Sequence, residues 1–223
     1  MYEKFGQFID GKWQASSNKE TYEVINPANE EVIGRASKAT PEDVDRALKS
    51  AEKGLEVWKK TSPWKRSSVI RKIADLIRAK QDVLAKWITL EVGKPFLEGK
   101  GEVGATADIF EWNSEETKRI YGQTVESRFE DTRIHVYYQP IGVVAAMSPW
   151  NFPLVLSGRK ISTALAAGCS VIIKPDVIAP GGVMELVDIC REAGVPPGVV
   201  NLLSGDPPSI ASQLISSDIV KKI

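Results

Sequence analysis

Cysteine and histidine are scarce in this sequence of 223 residues. The two cysteines are Cys169 and Cys190, and His135 is the one histidine. Two cysteines do not suggest a disulfide framework, and a lone histidine gives no support to Ser-His or Lys-His catalysis. We expect both thiols to be buried and inert, because each falls in an apolar stretch. We also expect no metal site.

Long apolar runs and clusters of one charge are absent as well. No run of 18 apolar residues occurs, and the first residues lack the apolar segment of a signal peptide. The 29 basic and 29 acidic side chains balance to a formal net charge of zero. Nucleic acid and anionic membranes attract clustered Lys and Arg, so both are poor candidate partners. These features predict a soluble, cytoplasmic protein.

The first part of the chain predicts a hairpin followed by helices. Asp10-Gly11 between apolar residues is a strong hairpin signal. Thr40-Pro41 and Ser62-Pro63 each combine an N-cap with a first-turn proline, and apolar residues then recur at helical spacing. A third helix is expected to end near Gly93, and a fourth to run from about Leu97 to Ile120.

Residues 123–139 are β-like but charged, which predicts a polar two-stranded ribbon projecting from the body. Such a ribbon is marginally stable alone and usually needs a partner surface. From the residues alone, two interpretations of the ribbon are equally acceptable: it contacts a partner surface, or it is a surface hairpin with no interface.

After Pro140, apolar runs alternate with helical segments. Strands buried on both faces and joined by crossover helices indicate a parallel sheet. The predicted fold class is α/β: a parallel Rossmann-like sheet with flanking helices, a helical N-terminal region and the projecting ribbon. The expected domains are 1–122 (hairpin and helices), 123–139 (ribbon) and 140–223 (a βαβαβ dinucleotide-binding core).

Three predicted strands end in polar or turn-forming residues: Ser148-Pro149-Trp150-Asn151, Lys174-Pro175-Asp176 and Ser204-Gly205. Ligands of open parallel sheets bind at this edge. Asn151 can donate to an oxyanion, and Lys174 can hold a ribose or a phosphate. Gly205 allows close approach of backbone, and the helix after it would offer free N–H groups to a phosphate. The alternatives are an Asx turn at Asn151 and a solvated strand end at Lys174.

A second glycine motif is rejected as a phosphate site. Residues 99–104 match G-x-G-x-x-G, but no strand precedes them and Glu102 lies inside the motif. Since the dinucleotide fingerprint requires a strand before it, we interpret this match as a coincidence within a helix.

The motifs from Pro140 to Asp206 resemble those of the aldehyde dehydrogenase superfamily. Ser-Pro-Trp-Asn-Phe-Pro at 148–153, Ala-Leu-Ala-Ala-Gly-Cys-Ser-Val-Ile-Ile-Lys-Pro at 164–175 and Gly-Val-Pro-Pro-Gly-Val-Val-Asn at 194–201 follow the family order. Upstream, residues 89–95 and 101–103 also match. Residues 111–122 look most like the succinate-semialdehyde dehydrogenase branch.

The resemblance implies roles for single residues. Asn151 would stabilise the oxyanion of a thiohemiacetal, and such donors are typically worth about a hundredfold to a thousandfold in rate. Lys174 would bind the adenosine ribose of NAD or NADP. The other cofactor-binding positions are Ser148, Pro149, Trp150, Asp176, Val177 and Gly205, with Pro149 and Trp150 on the nicotinamide side. The ribbon would join the copies of a homo-oligomer.

The family oxidises an aldehyde to a carboxylic acid through a cysteine thiohemiacetal. The nucleophile is expected beyond Ile223, so we expect the 223-residue chain alone to be inactive. A non-catalytic dinucleotide-binding or oligomerisation module is the alternative. Departures are Val177, where NAD-preferring members have glutamate, and Pro207 and Ala211, where glycines are common.

Overall fold

The computed structural model describes residues 2–223 and contains ten strands and seven α-helices. The strands are β1 (Gln7–Ile9), β2 (Lys12–Gln14), β3 (Thr21–Ile25), β4 (Val32–Ser37), β5 (Gln123–Glu126), β6 (Arg133–Val136), β7 (Val143–Met147), β8 (Ser170–Lys174), β9 (Val200–Leu202) and β10 (Val220–Lys222). The helices are α1 (Pro41–Trp58), α2 (Pro63–Ala79), α3 (Gln81–Val92), α4 (Phe96–Glu116), α5 (Pro153–Ala166), α6 (Gly181–Ala193) and α7 (Pro207–Ser216).

Six strands form the central sheet in the order β10-β7-β8-β9-β1-β2. The first four run parallel to one another, whereas β1 is antiparallel to both β9 and β2. The expected α/β fold is therefore confirmed, and the sheet is mixed because the N-terminal hairpin extends it. The hairpin turn has positive φ at Asp10 (54°) and Gly11 (75°), as a tight two-residue connection requires.

Helices cover both faces of the sheet, and the side chains of β8 show this alternation. Val171 and Ile173 pack into a core with α2 to α6, whereas Ile172 packs with α1 and α7 on the opposite face. All three are fully buried. A strand with apolar residues on both faces is typical of a sheet enclosed between two helical layers.

The predicted helix starts are confirmed by their caps. Thr40 accepts from the Asp43 N–H and the Asp43 carboxylate accepts from the Thr40 N–H, which completes a capping box. Ser62 accepts from the Lys65 N–H at the start of α2. The fourth helix ends at Glu116 and continues only as a single 3₁₀ turn, so the expected end near Ile120 was slightly too late.

The ribbon of β5 and β6 pairs in register, with Val125 opposite Ile134. Every residue of the two strands is exposed, including Val125 (42%) and Ile134 (44%). His135 lies on this ribbon. Among residues 2–223, no helix is both long and apolar enough to cross a membrane.

The buried carboxylate of Glu91 joins the N-terminal segment to α6. It accepts hydrogen bonds from the Tyr2 hydroxyl and from the backbone N–H groups of Gly181 (2.7 Å) and Gly182 (3.1 Å) at the start of α6. The side chain is fully buried. Burial raises the pKa of Glu91 to about 7, although the three hydrogen bonds favour the ionised form.

Glu91 should make the protein less stable as the pH rises towards neutrality. A folded pKa raised above the unfolded value adds stability that is complete below the unfolded pKa and is lost as pH rises through about 7. Between about pH 5 and about pH 8, the free energy of unfolding should fall by roughly 2 kcal/mol on account of this group. Urea unfolding of the wild type and of Glu91→Gln across that range measures the effect. Equal pH slopes in the two proteins would contradict it.

Candidate functional site

The chain reverses its winding direction between β7 and β10. Helices α5 and α6, which link β7 to β8 and β8 to β9, pack on one face, whereas α7, which leads back to β10 beside β7, packs on the other. In open α/β sheets, ligands bind outside the carboxyl ends of the strands near such a switch point. The carboxyl ends of β7, β8 and β9 are therefore the rim at which to look for a site.

Pairing aligns those three strand ends. Met147 lies opposite Lys174, and Ile173 lies opposite Leu202. The Ser148 N–H donates to the Lys174 carbonyl at 3.2 Å, which continues the pairing past the end of β7. We refer to residues 148–152, 174–177 and 204–206 as the rim. The structure thus brings together the strand ends that carry the predicted site residues.

Lys174 is buried, with 5% of its surface exposed. Its ammonium group has no hydrogen-bond or ion-pair partner within residues 2–223. Burial lowers the pKa of Lys174, and the nearby Asp176 and Asp206 carboxylates oppose that shift. Most of the side chain is enclosed, but the ammonium group is not among the fully buried polar atoms that lack a partner, so it reaches solvent at the rim. A partly desolvated cation without a protein partner is suited to pair with a ligand.

The first strand end is anchored by one side chain and exposed beyond it. Ser148 is buried and its Oγ lies 2.6 Å from Ser157 Oγ on α5. Pro149, Trp150 and Asn151 are exposed. At Asn151 the backbone carbonyl accepts a hydrogen bond from Lys94 Nζ at 3.3 Å. The Asn151 side-chain amide has no partner in the described part of the chain, so no Asx turn occupies it and the amide is available as a donor.

Two residues at this strand end were not predicted from the sequence. Lys94 Nζ also donates to Glu102 Oε2 at 2.6 Å, and Glu102 Oε1 accepts from the Leu154 N–H at 3.0 Å. Glu102 is the carboxylate inside the rejected glycine motif, which lies within α4 as expected. Lys94 and Glu102 lie in segments that resemble the family's motifs, and this was the one signal in the sequence that could have pointed to them. Their contact with the rim depends on how α4 packs, which the sequence does not show.

The third strand end is held by buried polar side chains from the N-terminal region. Gln7 Oε1 accepts from the Ser204 N–H at 2.8 Å, and Gln7 Nε2 donates to the Ser204 carbonyl at 3.0 Å. The hydroxyls of Tyr22 and Ser204 lie 2.7 Å apart. Gly205 has φ +141°, and a Cβ there would lie 2.8 Å from the Ala39 nitrogen. The packing of residue 205 against Ala39 therefore requires glycine, whether or not a ligand approaches it.

The expected phosphate site at the start of α7 was wrong. Pro207 and Pro208 have no N–H group, and the Ser209 N–H donates to the Asp206 carboxylate at 3.1 Å. The next N–H, that of Ile210, donates to the Asp206 carbonyl within the helix. The first turn therefore offers no free donor, and Asp206 adds a negative charge that opposes a phosphate.

The remaining predicted residues lie on or near the rim. Asp176 Oδ1 accepts from the Ile178 N–H at 3.1 Å, and Val177 is partly buried. Cys169 and Cys190 are buried as expected, and burial raises the pKa of Cys190 to about 12. Residues 2–223 contain no group of three or more His, Cys, Asp or Glu that could hold a metal ion.

A large groove elsewhere in the structure does not coincide with the rim. It has a volume of about 510 Å³ and lies between β7, β10 and α5, where Val144, Ala164 and Cys169 line it. Val144 is near the start of β7 and Cys169 immediately precedes β8, so the groove lies away from the carboxyl ends of both strands. The predicted site is instead an open surface, with one unpartnered cation at the tip of a buried side chain and one free amide at neighbouring strand ends.

Comparison with known proteins identifies the family. The aldehyde dehydrogenase family profile matches residues 13–223. The chain belongs to the aldehyde dehydrogenase family. Glutarate-semialdehyde dehydrogenase of Pseudomonas aeruginosa is 40% identical over 216 residues, which are 97% of this chain and 45% of that protein. The NADP(+) succinate-semialdehyde dehydrogenase of Escherichia coli is 39% identical over 215 residues, 96% of this chain and 45% of that protein.

A solved family structure shows the same fold. The crystal structure of succinate-semialdehyde dehydrogenase from Burkholderia pseudomallei superposes with a TM-score of 0.95 at 38% identity, over 97% of this chain and 45% of that one. The expected membership of the aldehyde dehydrogenase family is thus confirmed. The chain spans about 45% of the length of these relatives.

Proposed function

We propose that the rim binds a nicotinamide dinucleotide, NAD or NADP, and that the protein serves NAD(P)-dependent oxidation of an aldehyde to a carboxylic acid. The observation that carries this proposal is the unpartnered ammonium group at the tip of the largely buried Lys174 side chain, one strand away from the free Asn151 amide. A cation and a neutral donor at neighbouring strand ends suit a ligand with a polar ribose-phosphate end and a reactive end.

The two ends of the coenzyme are assigned to different strands. Lys174 would hold the adenosine ribose, with Asp176, Val177 and Gly205 beside it. Trp150 and Pro149 would lie along the nicotinamide ring, which accepts a hydride when the coenzyme is bound. Asp176 and Asp206 are close enough to Lys174 to act on its pKa, so their carboxylates would disfavour a 2′-phosphate at this end.

The rim lacks the hydrogen-bond donors that usually bind the pyrophosphate of a dinucleotide. Helix N-termini usually supply free N–H groups to this part of a dinucleotide, but α7 supplies none in its first turn. We therefore expect the coenzyme to be held at its two ends by this part of the protein, with affinity weaker than that of a site with a glycine-rich phosphate turn.

Asn151 is assigned to the reacting end. Its side-chain amide would donate to the aldehyde oxygen as negative charge develops there, which is the usual role of an oxyanion donor. Neither Cys169 nor Cys190 suits the nucleophile's role, because both thiols are buried. We expect no aldehyde oxidation from residues 1–223 alone. Similarity to the semialdehyde dehydrogenases of P. aeruginosa and E. coli favours an aldehyde that also carries a carboxylate.

Replacing Lys174 with methionine should weaken coenzyme binding. Methionine keeps the length of the buried stem and removes the charge. A hydrogen bond from a charged donor contributes about 1.5–3 kcal/mol, so the dissociation constant of NADH should rise roughly tenfold to a hundredfold. Calorimetric titration with NADH and NADPH measures this change.

Lys160→Met is the matched control, because Lys160 is a partly buried lysine on α5 whose pKa burial also lowers, and it lines the groove rather than the rim. It should bind NADH as the wild type does. No binding of either coenzyme by a folded wild-type chain, or equal binding by Lys174→Met, would refute the proposed site.

We also propose that the ribbon is the contact surface between copies of the protein. Val125, Ile134 and Tyr137 are exposed on it at 42%, 44% and 77%. A two-stranded ribbon exposed on all sides is marginally stable alone, and a second copy would cover its apolar residues.

The double change Val125→Lys and Ile134→Glu should reduce association. These residues face each other across the ribbon, so an opposite-charge pair preserves the ribbon while it removes the apolar surface. Sedimentation should show a smaller species than the wild type. Val83→Asp is the control, since Val83 is 50% exposed on α3 and lies outside the ribbon. An unchanged mass for the ribbon variant would contradict the assignment.

A further inference from the structure

The segment that carries Asn151 has little structure of its own. Residues 148–152 lie between β7 and α5 and belong to neither. Helix α5 begins without a side-chain cap from Phe152, and Pro153 at its first position has no N–H group. The position of the Asn151 backbone therefore depends on contacts from elsewhere in the fold.

Glu102 supplies the missing cap from another helix. Its Oε1 atom accepts from the N–H groups of Leu154 at 3.0 Å and Val155 at 3.4 Å, in the first turn of α5. The side chain is about 1% exposed. A carboxylate at a helix N-terminus is favoured by the free N–H groups and by the helix dipole.

Lys94 connects this cap to the Asn151 segment. Its Nζ atom lies 2.6 Å from Glu102 Oε2, 3.3 Å from the Asn151 carbonyl oxygen and 3.7 Å from the centre of the Phe152 ring. Gly93, in the left-handed conformation at φ +77°, ends α3 immediately before it. One ammonium group thus joins α4, the Asn151 backbone and the Phe152 side chain.

We propose that Lys94 and Glu102 are positioning residues that hold the Asn151 segment in the orientation its side-chain amide needs. They bind its backbone and the start of α5, which leaves the Asn151 amide free to face the reactive end of a bound coenzyme. This inference rests on the proposed function. Its physical basis is preorganisation: a donor fixed before the ligand arrives loses less entropy on binding.

The test compares Lys94→Met and Glu102→Gln with Lys100→Met. Methionine at 94 removes the ammonium, and glutamine at 102 keeps an oxygen for the α5 cap but removes the ion pair with Lys94. Lys100 is the control because it lies on α4, as Glu102 does, but pairs with the exposed Asp82 at 2.8 Å. Two quantities are measured: backbone NMR order parameters of ligand-free protein, and dissociation constants for NADH and ADP.

Both test variants should loosen the segment without loosening the sheet. The order parameters of Asn151 and Phe152 should fall from about 0.85 to below about 0.6, while those of β8 and β9 stay unchanged. The NADH dissociation constant should rise about tenfold, whereas that of ADP, which lacks the nicotinamide, should stay within about twofold. Lys100→Met should behave as the wild type.

Unchanged order parameters at Asn151 in both test variants would overturn the inference, as would equal losses of NADH and ADP affinity. Failure of the wild type to bind NADH and ADP would instead refute the proposed function. The order parameters are measured without ligand, so they decide the role of Lys94 and Glu102 in that event too.

Discussion

The parallel pairing of β7, β8 and β9 is the constraint on which the rest of the structure depends. It places Met147 opposite Lys174 and Ile173 opposite Leu202, so the residues that follow each strand leave the sheet side by side. Helices enclose both faces, and a shift of one residue would exchange the side chains that pack against α2 to α6 with those that pack against α1 and α7. The register needed for the core is therefore also the register that aligns the rim.

Buried polar side chains then fix the segments at the carboxyl edge. Glu102 caps α5, Glu91 caps α6, and Gln7 holds Ser204 by both its backbone groups. Each comes from a distant part of the chain, and each satisfies donors or acceptors that would be unpaired in the core. The N-terminal hairpin and helices are thus structural supports of the rim, and they pack into the hydrophobic cores on both faces of the sheet.

The sequence was sufficient to predict the helices and strands, but not the contacts between segments that are far apart in the chain. Caps such as Thr40, the glycine after α3 and the apolar runs act locally, so the helices and strands were predicted, although α4 ends earlier than expected. Pairing of β1 with β9 and the approach of Glu102 to α5 depend on packing between segments far apart in the chain, for which no local pattern exists. The expected phosphate site at α7 failed because Pro208 and the Asp206 cap remove the donors that a helix N-terminus normally offers.

The central claim is that one coenzyme spans neighbouring strand ends of a single rim. Chemical-shift mapping of the ¹⁵N-labelled chain during titration with NADH tests it most directly. We expect the largest shifts at residues 150–152, 174 and 204–206, with the groove between β7, β10 and α5 unaffected. Shifts confined to that groove or to the ribbon would contradict the account.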